Sequence, residues 1–128
     1  MLNRSGISKT TYTAPKQILA NVKLQSSVGC IVPTSLGVVV GARKIAKAGT
    51  PIKIDTLNLQ TPAVKADGTT PLNAVLLHDV DVTAGNANGT ALIFGFVNVN
   101  RVEADVATAI TTAAGAAAKS ALITFVKA

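Results

Sequence analysis

The sequence predicts an α+β, β-rich fold: a small mixed β domain with one short Ala-rich helix near the C-terminus and an extended N-terminal arm. Three observations lead there. Residues 74–82 and 90–100 are two β-type runs joined by a Gly- and Asn-rich stretch, 83–89. Directly after them the apolar spacing changes from two to about four. Residues 1–27 show no helical period and are rich in Ser, Thr, Asn and Lys. Ile18, Leu19 and Val22 are the apolar anchors of that first stretch.

In chain order, residues 1–27 read as an extended basic arm, and residues 28–128 as a single β-rich domain. From Val28, Gly29, Pro33 and Gly37 punctuate short β-branched runs at 30–32 and 36–40, as strands joined by turns would. The segment 47–51, Lys-Ala-Gly-Thr-Pro, is a turn signal. After it Ile52 and Ile54 alternate with Lys53 and Asp55, apolar in and polar out. Residues 60–73, rich in Thr, Pro, Gly and Asp, predict a surface loop. The run 74–82 starts apolar on both faces and then alternates, predicting one strand that leaves a covered region for an exposed edge.

Residues 90–100 return as its hairpin partner, with Gly95 marking a bulge or a close backbone approach. Phe94 and Phe96 project to one side of that strand, to pack on the helix or to anchor a subunit contact, with core packing the expected role. Val102, Val106 and Ile110, with Ala109, Ala113 and Ala117, then fall on one helical face. Asn100 followed by Glu103 has the spacing of a capping box, and Glu103 and Asp105 suit the positive end of the helix dipole. Residues 121–126 close the chain as a strand expected to pair with the hairpin.

Composition narrows function. The 128 residues give room for one core, and 48% hydrophobic against 3% aromatic residues makes that core small and branched. So few rings disfavour single-stranded nucleic-acid grooves, which stack bases on aromatics. One histidine and one cysteine cannot form a four-ligand Cys/His zinc site or an internal disulfide. No apolar run approaches the 18 or so residues of a membrane span, and Lys9, Lys16 and Lys23 interrupt any signal-peptide core. A membrane partner and Sec-dependent export are therefore not expected.

Charge is distributed unevenly. Residues 1–54 hold Arg4, Lys9, Lys16, Lys23, Arg43, Lys44, Lys47 and Lys53 and no acidic residue, whereas the rest of the chain is slightly acidic. Arg4, Lys9, Lys16 and Lys23 are spread five to seven residues apart, which suits an extended segment along an acidic surface better than a compact phosphate pocket. A merely solvated terminus, a protein-docking arm and a basic nucleic-acid-binding module all remain compatible with that spacing. Three arginines and no helix-turn-helix or zinc pattern weigh against nucleic acid.

His78, Asp79 and Asp81 are the one cluster with the residue types of an active site. On a strand His78 faces away from both aspartates, so the three do not converge on a metal, and the carboxylates are expected to cap turns or meet a neighbouring cation. Cys30, within an apolar run, is expected to be a small buried hydrophobe. Residues 85–89 lack the Lys-Ser/Thr ending of a phosphate-binding loop, and no Gly-x-Ser-x-Gly elbow is present. Neither an enzyme activity nor a cofactor is expected.

The order of the pieces is similar to a known family. Ala48-Gly49-Thr50-Pro51, then Val75-Leu76-Leu77-His78-Asp79-Val80-Asp81-Val82, the Gly-rich loop, Phe94-Gly95-Phe96-Val97-Asn98, a short helix and a closing strand resemble the lambda-type head decoration proteins of tailed bacteriophages. The resemblance covers roughly residues 46–128. It implies a structural virion protein, made in the host bacterial cytoplasm, that binds the major capsid protein on the capsid exterior, commonly as a homotrimer, and stabilises the shell. It also implies an N-terminal arm that orders on the shell by strand pairing. On that reading Arg4, Lys9, Lys16, Ile18, Leu19, Val22 and Lys23 form the capsid-binding arm, and removing residues 1–22 is expected to leave the fold intact. The alternatives are another phage structural subunit, such as a tail-tube or head-fibre-base protein, and the basic nucleic-acid-binding module.

Overall fold

The long strand of the hairpin organises the molecule. The structure, a computed structural model, describes residues 17–21, 23–67, 69–70, 72–117 and 122–127. In chain order the strands are β1 (Ser26–Val32), β2 (Val38–Val40), β3 (Arg43–Ala46), β4 (Pro51–Lys53), β5 (Val64–Lys65), β6 (Ala74–Leu76), β7 (Val80–Asp81) and β8 (Ala87–Asn98). Helix α1 (Ala104–Ala117) and β9 (Leu122–Val126) follow. The described residues are strand-rich with one α-helix near the C-terminus, as the sequence predicts.

β8 is the spine of the larger sheet, whose order is β9, β8, β6, β4, β5. β1 runs antiparallel along its first part, from Val32 opposite Ala87 to Ser26 opposite Phe94. β9 runs parallel along its second part, from Leu122 opposite Phe94 to Val126 opposite Asn98. A parallel neighbour needs a crossover, and α1 supplies it. The expected bulge near Gly95 is present as a register shift: Ser26 faces Phe94 and Ser27 faces Leu92, leaving Ile93 unmatched.

The smaller sheet, β2-β3-β7, contains a correction. The single strand expected over 74–82 is divided, because β6 pairs with β8 in the large sheet and β7 pairs with β3 in the small one. Leu77 N–H still bonds the Thr90 carbonyl, but Asp79 then turns its carboxylate to the Ala48 N–H at 2.7 Å, and the chain leaves the ladder there. The loop expected over 83–89 is shorter too, since β8 already begins at Ala87. Within 60–73 the chain adds β5 to the sheet edge and buries Ala63, Ala66 and Leu72. Of the expected strand at 36–40 only Val38–Val40 is paired as a strand, and Leu36 closes a 3-10 turn.

Two apolar clusters lie on opposite faces of β6. Ala74 and Leu76 join the first, with Val32, Ala46, Ile52, Ile54, Val80 and Val82, so the small sheet covers that face of the large one. Val75 and Leu77 join the second, with Ile18, Leu19, Leu92, Val97 and Ile123. Packing of the domain thus reaches back to residue 18. On α1, Val106 and Ile110 are buried as the spacing predicts; Val102, expected on the same helical face, instead precedes the helix in extended backbone and is half-buried, and the side chains at 113 and 117 lie outside the described residues. The helix starts at Ala104, three residues later than a cap at Asn100 would place it: the Ala107 N–H bonds the Glu103 carbonyl, and Asn98 caps a 3-10 turn by accepting from the Asn100 N–H at 3.0 Å. Phe94 and Phe96 depart from expectation, since Phe94 is 39% exposed and Phe96 is half-buried.

Candidate interaction surface

The segment 47–50 ties the sheets to the helix. Thr50 closes the turn, its N–H and hydroxyl both donating to the Lys47 carbonyl at 3.2 and 2.6 Å. Gly49 N–H reaches the Leu76 carbonyl at 2.7 Å, and Lys47 Nζ grips both oxygens of Asp105, in the first turn of α1, at 3.3 and 3.2 Å. The Asp105 carboxyl sits below its usual range: slight burial opposes ionisation, and the hydrogen bond and charge of Lys47 outweigh it.

The aspartates near His78 serve the fold. Asp79 holds the Ala48 amide, as a turn-capping carboxylate should. Asp81 accepts from the Thr83 N–H at 2.9 Å and pairs with Arg43 at 2.8 Å. Hydrogen bonds from the Thr83 hydroxyl and amide, helped by Arg43, hold the Asp81 carboxyl below the usual range. His78 is exposed on the intervening bend. Asp67, in a loop turn, is likewise lowered by the amides of Thr70 and Thr69 and by Lys65. Among the described residues no three His, Cys, Asp or Glu side chains stand together as a metal site would require. Cys30 is buried in the first core, and burial pushes its thiol up. No described helix is long and apolar enough to cross a membrane.

Of the residues read as a docking arm, Arg4, Lys9, Lys16 and Val22 lie outside the described residues. Ile18 and Leu19 are buried within this chain. Their side chains are 0% and 4% exposed, packed in the second core of this chain. The backbone is held as firmly: Leu19 bridges Val97, Ala20 N–H donates to the Phe96 carbonyl at 2.9 Å, and Asn98 N–H donates to the Ile18 carbonyl at 2.8 Å. Lys23 is exposed. Ile18 and Leu19 are adjacent large aliphatic residues in a polar stretch, and that pairing reports a core contact.

No family model matches this chain, and no curated protein matches it.

Several large apolar side chains are exposed among the described residues, Leu57 and Val64 among them. Val38, Val39 and Val40 are 44%, 73% and 49% exposed, although all three residues of β2 are β-branched. Sequence reading placed them in a strand and missed that neither face is covered. On the large sheet Phe94 and its register partner Leu122 are also exposed. Between β2, the 47–50 turn and α1 lies a cleft of about 110 Å³, lined by Gly37, Val38, Lys47, Thr50, Asp105 and Ala109. It is smaller than the cavities of roughly 300 Å³ and upward that take small-molecule ligands.

Proposed function

We propose that this chain is a structural virion protein that docks on the acidic outer face of a phage capsid through its basic N-terminal segment, as trimers, and stabilises the shell. The observation that carries this reading is the anchoring of that segment. The 16 residues before Gln17 carry Arg4, Lys9 and Lys16 and no acidic residue. They join the domain at a point fixed by two buried side chains and two backbone hydrogen bonds. An arm attached in this way passes its binding energy to the domain without a loose linker, and three arms on one trimer raise each other's effective concentration. The resemblance of the 48–51 turn and of the 75–82 and 94–98 strands to lambda-type decoration proteins supports the same reading. So does the use of the described aspartates near His78 in turns and ion pairs rather than in a reaction site.

Co-sedimentation with expanded, empty phage capsids tests it, with the stoichiometry measured for the full chain and for a chain lacking residues 1–16. Binding that saturates at a multiple of the three-fold sites and is lost on truncation is the expected result. Absence of binding, together with rings or tubes formed by the protein alone, would instead assign the chain to a tail. Retention on DNA that fades steeply with salt would assign it to nucleic acid.

A further inference from the structure

Near its start β8 carries a chemically labile step. Asn88 is followed by Gly89, the one Asn-Gly pair in the sequence. A glycine in that position favours loss of the asparagine amide, because no side chain hinders the next backbone nitrogen from reaching the carboxamide carbon. Packing imposes the glycine. A Cβ at Gly89 would stand 2.6 Å from Cγ2 of Val32 and 3.1 Å from Cγ2 of Val80, so the first core admits no side chain there. Asn88, one residue away along the strand, is exposed.

The backbone opposes the reaction. The Ile31 carbonyl accepts from the Ala63 N–H and the Thr90 carbonyl from the Leu77 N–H, both at 2.9 Å, so the polar groups of Ile31 and Thr90 point away from the seam between β1 and β8. Ile31 lies opposite Asn88 and Gly29 opposite Thr90, which leaves Cys30 and Gly89, between them, as the pair that exchanges both ladder bonds. The Gly89 nitrogen is thus bonded to β1, and the extended ψ of a strand keeps it from the Asn88 side-chain carbon. β6 pairs with β8 at Ala91 and Leu92, so β1 is the strand that holds 87–89 among the described residues.

We propose that Asn88 is a modification site gated by β1: pairing of Cys30 with Gly89 keeps it intact, and lifting of β1 commits it to irreversible deamidation. In the lifted state the Gly89 amide gives its proton to hydroxide and the nitrogen attacks Cγ of Asn88. The bond from Cγ to the side-chain nitrogen breaks and ammonia leaves, forming a succinimide. Water then opens the ring at either carbonyl, leaving an aspartyl or an isoaspartyl residue at position 88. The isoaspartyl product carries the main chain through the former side-chain carbon, one backbone atom longer, so β1 no longer pairs in register on both sides of it. Opening of β1 is thereby recorded in the covalent structure, whatever the chain binds.

The test incubates the full chain in mildly alkaline buffer, folded and in urea above its unfolding midpoint. Deamidation is located by tandem mass spectrometry, and isoaspartyl groups are counted by enzymatic methylation. The folded chain should convert at position 88 at least about tenfold more slowly than the unfolded one, and its Gly89 amide should be protected from hydrogen exchange. Val32→Ala, which removes the β1 side chain packed at Gly89, should raise the folded rate more than Leu19→Ala, whose contact lies at the other end of β8. In urea the parent and both variants should convert alike. Converted chains, separated by their added negative charge, should unfold at lower urea than unconverted ones. Equal rates in the folded and unfolded parent, or an unprotected Gly89 amide, would overturn the proposal without reference to any variant. So would equal acceleration by Val32→Ala and Leu19→Ala, which would make global unfolding the route, or identical midpoints of converted and unconverted chains.

Discussion

At Gly49 the backbone has a φ of +93°, and a Cβ placed there would stand 2.5 Å from Cγ1 of Val102 and 3.1 Å from Cγ1 of Val106. Two requirements meet at one position: a left-handed turn conformation and room for the segment that leads into α1. Gly49→Ala violates both, and the expected loss is about 2–5 kcal/mol, combining backbone strain with overpacking. Urea unfolding checks it. A midpoint indistinguishable from that of the unaltered protein would mean that the helix is not seated on this turn. Other residues of the same neighbourhood act through hydrogen bonds. The Ala48 amide depends on Asp79, which sequence reading could assign to structure but not to a particular amide, because the two are 31 positions apart.

At the level of elements, the short strand-like entry at residues 18–20 carries more weight than its length suggests. Burying a leucine or isoleucine contributes about 1.5–3 kcal/mol, and Ile18 and Leu19 are both buried. Deleting residues 1–22 therefore removes part of the core, contrary to the expectation that this cut is harmless. Deleting residues 1–16 should leave the melting transition unchanged, while Leu19→Ala in the full chain should cost about 2–5 kcal/mol. A thermal or urea comparison of the two separates the anchor from what precedes it, and equal stability of Leu19→Ala and the parent would remove the anchor from the argument.

The elements legible in the sequence were those with a sustained period: β8, the Val106 and Ile110 face of α1, the Ile52 and Ile54 alternation, and β9. The missed ones had little period to read. β5 is two residues long, and the Ala63, Ala66 and Leu72 that hold its surroundings are small or isolated in a polar stretch. The break between β6 and β7 depends on Asp79 meeting a distant amide. β2 was legible as a strand, but its exposure depends on where the small sheet ends, which no local pattern encodes.

Taken whole, the molecule is a spine with several dependants. β8 receives β6 from nearby in the sequence, with Val75 opposite Leu92, but β1 and the residue 18–20 entry come from the far end of the chain. The crossover through α1 brings β9 to its other end. Closing a long loop costs more entropy before any contact repays it, so near pairs are favoured early and distant ones late. The order of assembly is thereby set by topology. Of the neighbours of β8, β6 is the nearest in sequence and is favoured to meet it first, and the oldest part of the chain in synthesis must wait for residues made long after it before Leu19 finds Val97. In folding kinetics, truncations at Val75 or Leu92 should slow folding, whereas truncation at Leu19 should chiefly hasten unfolding. The reverse pattern would place the nucleus at the N-terminal entry. A chain built this way has its last-formed contact at the root of the segment proposed to reach for a partner.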